Sequence, residues 1–230
     1  MIPLPKVVFD FCSLIAQQGG RPVIVGGYIR DYFLGSLKEG IDVDIEVFAM
    51  PYAQLYALCV PYLVSSFPHF GVIKTTFADV SLPRREYCIG KKYNQFRVEL
   101  LPDLSFKEAA YRRDFTVNAI GWDFITHQFL DPYSGQEDVK NKLLRPISEH
   151  FKEDSYRILR AAQLIARYNF QPSQQLIAYG KEMDFSFLSQ HHTEKIYEII
   201  QNSPFQIEAK NFLKKIKKEG LDPSLLVLNK

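Results

Sequence analysis

Two glycines open the segment VGGYIRDYFLGSLKEGIDVDIEVF (residues 25–48), and acids at alternate positions close it. In the run IDVDIEVF, Asp42, Asp44 and Glu46 fall on one face of a strand, and Ile41, Val43, Ile45 and Val47 on the other. Two carboxylates at that spacing can bridge a pair of divalent ions ~3.5–4 Å apart, the arrangement used in phosphoryl and nucleotidyl transfer. The same alternation also describes the wet side of an edge strand. The glycines bear on that choice. A strand-to-helix turn at Gly26 and Gly27 lets backbone N–H groups approach a phosphate, with a helix N-terminus behind them. Arg30, one turn further on, can donate to a triphosphate. No Gly-Lys-Ser/Thr follows, so this is not a Walker-type loop.

Two further clusters carry polar chemistry. YRRDFTVNAI (111–120) places Arg112, Arg113, Asp114 and Asn118 around the apolar Phe115 and Val117. Arginine can contact phosphate or a ribose hydroxyl, and Asp or Asn can orient it; a helix-end salt-bridge cluster is the structural alternative. In EDSYRILRAAQLIARYNF (153–170), Asp154, Arg157 and Arg160 are three apart on a predicted helix and form one stripe. Aspartate accepts and arginine donates. That pair complements an exocyclic amine beside a ring-nitrogen acceptor, the pattern of cytosine and adenine but not of guanine or uracil. Taken alone, the stripe also reads as a surface salt bridge.

These residues need a scaffold. Residues 5–18 read as an amphipathic helix ended by Gly19 and Gly20, RPVIVGG as a buried strand, and YIRDYFLG as a helix closed by Gly35. PYAQLYALCV reads as a helix. Strands are predicted near 62–66, 71–77, 86–90 and 95–100, a helix at 105–112, and a strand pair at 119–124 and 127–131. From about residue 150 strand signals fade, and helices are predicted near 172–180, 193–201 and 206–219, after one in which Ile158, Ala162, Ile165 and Asn169 share a face.

The 230 residues are 47% hydrophobic and carry a net charge of +2, so composition by itself announces no nucleic-acid binder. The charge is uneven: KNFLKKIKKEG (210–220) holds five lysines, which suit either a phosphate backbone or a solvated helix face. Three widely spaced cysteines, Cys12, Cys59 and Cys88, argue against a disulfide framework or a zinc site. No apolar run approaches the ~18 residues that suggest a membrane span, and the N-terminus lacks the pattern of a signal peptide. The expectation is a soluble cytoplasmic protein.

The order VGGYIRD, DVD, SLPRRE, RRDFTVNAI, DPYSGQEDVKNKLLRPIS, EDSYRILRAAQLIAR closely resembles the bacterial-type (class II) tRNA nucleotidyltransferase and poly(A) polymerase family, which includes the CCA-adding enzymes. The resemblance covers roughly residues 20–170. It implies an α+β fold: a polymerase-β-type nucleotidyltransferase head over residues 1–140, then an all-helical neck over 141–230. It implies that Asp42 and Asp44 hold two catalytic Mg²⁺ ions, that Gly27 and Arg30 bind the triphosphate, and that Arg113, with Arg112 as the weaker candidate, contacts sugar and phosphates. Asp154 and Arg157, with Arg160 beside them, then read the incoming base. Glu46 matches a frequent family residue that is not an assigned ligand and is expected to support those that are. The implied partners are CTP, ATP and the 3′ end of tRNA or another RNA, with no membrane.

The implied activity is CCA addition first, A-only addition second and poly(A) synthesis third. The segment Arg84–Arg112 looks full length, which argues against CC-only addition. Rival readings are a head that binds nucleotide or RNA but needs further domains to act, and a short nucleotidyltransferase acting on a protein or small molecule. Three features depart from the family pattern. The stretch between Gly27 and Asp42 is about two residues longer, Gln163 replaces a frequent arginine, and Ser155 a common proline or alanine. Relatives also continue into helical body and tail domains that this sequence does not reach, whether as a truncation or a short natural form.

Overall fold

Apolar residues at helical spacing and β-branched runs bounded by glycine account for most of the elements. The computed structural model describes residues 2–38, 40–90, 96–186 and 188–216. Helix α1 (Lys6–Gln17) buries Val8, Phe11, Cys12 and Ile15, a single stripe. Strand β1 (Arg21–Val25) follows, and Gly26 at φ 74°, ψ −139° turns the chain into α2 (Gly27–Phe33), a backbone conformation suited to glycine. Next come β2 (Asp44–Phe48), α3 (Tyr52–Cys59), β3 (Leu63–Phe67), β4 (Val72–Thr75) and β5 (Asp79–Ser81). A separate hairpin, β6 (Arg84–Cys88) with β7 (Phe96–Leu100), precedes α4 (Phe106–Ala110), whose start carries a capping box of Ser105 and Glu108. Then come β8 (Gly121–Asp123), β9 (Phe129–Leu130), α5 (Gly135–Lys140) and β10 (Leu143–Leu144). The remainder is α6 (Tyr156–Tyr168), the short β11 (Gln171–Pro172), α7 (Gln174–Glu182), α8 (Gln190–Gln201) and α9 (Gln206–Ile216).

The main sheet has seven strands in the order β3-β4-β5-β2-β1-β8-β9. Strand β2 lies inside it, antiparallel to β1 and parallel to β5, so Asp44 stands opposite both Val25 and Asp79. The pleat divides the inner strands between two cores. Ile24, Ile45 and Val47 join the large cluster that continues through Phe115 and Phe151 to Ile158, Ile165 and Phe212. Val23, Val25 and Phe48 meet Phe106, Ala109, Ala110 and Ala119 on the other face. Asp44 and Glu46 alternate with the first set and so share the second face, which α4 covers. The acids therefore do not line the wet side of an edge strand.

Several sequence expectations need correction. The strand starts at Asp44, not Ile41, and Asp42 lies in the exposed loop before it. The expected strand 71–77 ends at Thr75, whose hydroxyl donates to the Ala78 carbonyl and accepts from its N–H, closing a turn into β5, which was not anticipated. Helix α5 was also missed; Asp131 caps it by accepting from the N–H groups of Gly135 and Gln136. The predicted helix 206–219 is seen to Ile216, and 217–219 lie outside the described residues.

Gly135 packs against the 3₁₀ turn Thr116–Asn118, where an added Cβ would come within 2.2 Å of the Thr116 carbonyl oxygen. Gly35, at φ 64°, has open space around it. Urea unfolding should therefore show Gly135→Ala losing about 2–3 kcal/mol by overpacking and Gly35→Ala only about 1 kcal/mol from its left-handed backbone.

Candidate nucleotide site

The β1–α2 turn, the start of β2, the chain after α4 and the start of α6 converge on a cavity of about 370 Å³. Of the residues singled out as nucleotide or metal ligands, only Asp42 does not line it. Asp42 lies with Asp44, Gly27 and Arg30 in an adjoining cleft of about 700 Å³. A Cβ on Gly26 would stand 2.9 Å from an Asp44 carboxylate oxygen, so glycine is what allows the turn to come this close.

Asp44 makes no side-chain hydrogen bond or ion pair among the described residues. Burial pushes its pKa up to about 6; the Arg113 charge opposes the rise, and the negative charges of Asp79 and Asp42 add to it. Asp79, in register on β5, is paired with the Lys74 ammonium at 2.8 Å. Among the described residues, no three His, Cys, Asp or Glu side chains are grouped to hold an ion by themselves. A partly buried, unpaired carboxylate with acidic neighbours nevertheless suits a divalent cation that also takes oxygens from its substrate.

Glu46 is fully buried, with one oxygen 3.1 Å from Arg112 Nη2 and the other 3.1 Å from Arg113 Nη2. Burial acts to raise its pKa, but the two guanidinium groups outweigh that and hold it below the usual carboxylate range. Asp114 is also held low: burial opposes this, while Arg160, whose Nε donates to Oδ2 at 3.0 Å, and the Asn118 amide favour the charge. Asn118 accepts in turn from Arg30 Nη1 at 2.7 Å. Arg30 also donates to Asp31 and the Tyr168 hydroxyl, and its guanidinium lies 5.0 Å from the centre of the Tyr168 ring. Arg30 thus lines the cavity with its donors largely committed to protein partners.

At the other end, Asp154 departs from the predicted helical stripe. It precedes α6 and caps it, accepting from the Tyr156 N–H at 2.9 Å. Its second oxygen lies 3.8 Å from Arg157 Nε and 3.5 Å from Arg160 Nη2. Arg157 is anchored by donating to the carbonyls of His150 and Arg112 at 2.7 and 2.9 Å, which leaves its buried Nε without a hydrogen-bond partner. An acceptor and a donor thus stand side by side, as reading an amine next to a ring nitrogen requires.

The sequence reading assigned no role to Arg84 or Glu86, which also line the cavity and are joined at 2.7 Å. The signal was present in SLPRRE, where alternation on a strand puts both on one face. Burial, with Arg112 adding to it, lowers the pKa of Arg84 to about 10. Nothing local pointed to Asp79 or Tyr168. The buried thiols of Cys12 and Cys59 are pushed up to about 12, which does not suit a nucleophile. Of the lysines at 210–218, Lys210 is buried, Lys214 and Lys215 are exposed, and Lys217 and Lys218 lie outside the described residues. So do residues 91–95 of the segment expected to be full length. No helix among the described residues is long and apolar enough to cross a membrane.

Residues 23–145 match the family described as the poly A polymerase head domain. The chain is 37% identical over 161 residues to a multifunctional CCA protein of Nitrosococcus oceani, covering 70% of this chain and 38% of that one. It is 38% identical over 163 residues to a CCA-adding enzyme of Coxiella burnetii, covering 70% and 42%. The chain therefore spans less than half the length of these curated relatives. In fold it is similar to the Bacillus stearothermophilus CCA-adding enzyme solved in complex with CTP, at TM-score 0.78 and 23% identity, over 96% of this chain and 54% of that one. A tRNA nucleotidyltransferase complexed with a primer tRNA and an incoming ATP analog aligns at TM-score 0.64 and 26% identity, over 90% and 60%.

Two variants separate the roles of the acids. Glu46→Gln leaves two arginines without their buried counter-charge and should cost about 3–5 kcal/mol in chemical denaturation. Asp44→Asn should do the opposite. The raised Asp44 pKa means that the folded chain binds a proton more readily than the unfolded one, so its charge destabilises the apo protein above about pH 6. In EDTA, Asp44→Asn should therefore raise stability at pH 8 by up to about 3 kcal/mol. That gain should shrink as pH falls through 6 towards 4.

Proposed function

Because the chain belongs to the poly A polymerase head-domain family, we propose that it is a template-independent nucleotidyltransferase adding CMP and AMP, from CTP and ATP, to the 3′ end of tRNA. One observation carries this reading: Asp44 and the Asp154–Arg157 pair, metal-binding and base-reading chemistry, line the same cavity. We assign residues 1–140 to the catalytic head and 141–230 to the neck.

In this reading Asp42 and Asp44 hold Mg²⁺. Bound there, such an ion would lower the pKa of the RNA 3′-hydroxyl and offset charge on the triphosphate and its pyrophosphate leaving group. The Gly26–Gly27 turn receives the phosphates next to Asp44. Arg113, fixed by Glu46, places positive charge 3.8 Å from a Cβ built at Gly26, close to where the phosphates lie. Asp154 accepts from the exocyclic amine of cytosine or adenine, and Arg157 Nε donates to the adjacent ring nitrogen. Guanine and uracil would set a carbonyl against the carboxylate. The 3′-oxygen attacks the α-phosphorus, a P–O bond forms as the bond to pyrophosphate breaks, and no covalent enzyme intermediate is needed. Adenylate addition alone is the second reading, favoured by the family's own description.

Primer extension tests both. With tRNA ending before CCA, after C and after CC, magnesium and labelled CTP or ATP, the chain should add C, C and A. Asp42→Ala/Asp44→Ala should abolish extension, and Asp154→Ala should let GTP and UTP compete. Addition of A alone would move the assignment to the adenylating reading, and failure on every primer would reject both.

A further inference from the structure

Arg84, Glu86, Arg112 and Arg157 have a second side. They also line a separate cavity of about 360 Å³, next to the nucleotide cavity and sharing its wall. Across it stand Tyr87, Tyr111, Tyr133 and His150. Tyr111 meets His150 edge-on at 5.3 Å between ring centres and lies tilted against Tyr133 at 6.4 Å. The Tyr133 hydroxyl donates to the Lys107 carbonyl at 2.6 Å, which fixes that ring. Tyr111 is 44% exposed and has no side-chain hydrogen bond among the described residues.

The charges at the rim are unequal. Glu108 is taken by Arg85 at 2.8 Å and Glu86 by Arg84 at 2.7 Å, while Glu153 lies within hydrogen-bond distance of His150 Nδ1 at 2.7 Å. Lys107 is exposed and makes no ion pair among the described residues. The space is thus walled by rings, lined by five Arg or Lys side chains against three carboxylates, and joined to the nucleotide cavity through shared arginines.

We propose that this cavity receives an unpaired base of the RNA strand being extended, upstream of its reactive 3′-terminal nucleotide. The inference rests on RNA being the acceptor. Aromatic faces stack on any base, and Lys107 meets a flanking phosphate. The terminal nucleotide belongs elsewhere, because its hydroxyl must reach Asp44, which does not line this cavity. The incoming nucleotide does not fit here either: Asp154 and the Gly26–Gly27 turn are both absent from the lining.

The test is equilibrium binding of a fluorescent RNA hairpin with a single-stranded 3′ end, intact or with one abasic site at each of its last four positions. In the wild type, one upstream abasic site should weaken binding by about tenfold, the scale of one stacked base. Tyr111→Ala should weaken intact RNA equally and make binding indifferent to that abasic site, whereas Tyr111→Phe should behave as wild type. Lys107→Ala should reduce the salt slope by about one. CTP and ATP binding, followed by calorimetry, should not change in any of them. Independent, additive losses at every position would overturn the inference, as would loss of CTP or ATP binding in Tyr111→Ala. A wild type that binds CTP and ATP but no RNA overturns the inference and leaves the nucleotide site standing; one that binds neither overturns the proposed function too.

Discussion

Glu46 is a carboxylate with no exposed surface, and the site is built around what that requires. An isolated buried carboxylate costs several kcal/mol, so it needs close positive partners. Arg112 and Arg113 provide them, one to each oxygen. Neighbouring residues on an extended chain point apart. These two converge because the chain turns as it leaves α4, where the Tyr111 N–H bonds to the Glu108 carbonyl and the Arg113 N–H to that of Ala110. Glu46 stands two residues along the same strand from Asp44. The one ion cluster therefore fixes the arginines relative to the acid that would bind metal.

A chain of paired groups runs from that point to the opposite end of the cavity. Arg30 donates to Asn118, Asn118 to Asp114, Arg160 to Asp114 and, more weakly, to Asp154. It connects α2 with α6, elements more than a hundred residues apart, and Tyr168 closes it from the far end of α6 by donating to Asp31. The Gly26–Gly27 end and the Asp154–Arg157 end are thus held at one spacing by polar contacts as well as by the apolar core beneath them. Within this network, the groups without protein partners are informative. Among the described residues Asp44 makes no side-chain hydrogen bond or ion pair, and the buried Nε atoms of Arg112, Arg113 and Arg157 have no hydrogen-bond partner. Native structures seldom leave buried polar groups unmatched, and a metal, phosphates and a base are the chemistry that would match Asp44 and Arg157.

The second cavity follows from the same economy of parts. Arg84, Arg112 and Arg157 line both cavities, so one row of cations has two sides. A strand of RNA and a nucleotide are both polyanions with flat bases, and a shared cationic wall is compatible with both.

What was legible in the sequence was local. Period-two alternation, glycine turns and helical stripes depend on neighbouring residues, and they sufficed for the strand–turn–helix around Gly26, for β2 and for α6. Of the ligand candidates they marked, all but Asp42 line the cavity, and Arg84 and Glu86 line it unmarked. The tertiary structure decided what those acids face. Alternation states that Glu46 shares a side with Asp44, but only α4 and the turn after it make that side an interior. Asp154 looked like part of a helical stripe because its spacing is right; the helix starts after it because its carboxylate caps the chain. Asp79 and Tyr168 had no local signal at all, since one reaches the site by sheet register and the other because the fold brings the end of α6 to Arg30 and Asp31. Interactions along the chain can be read from order and spacing, whereas pairing across it is decided by which surfaces the core brings together.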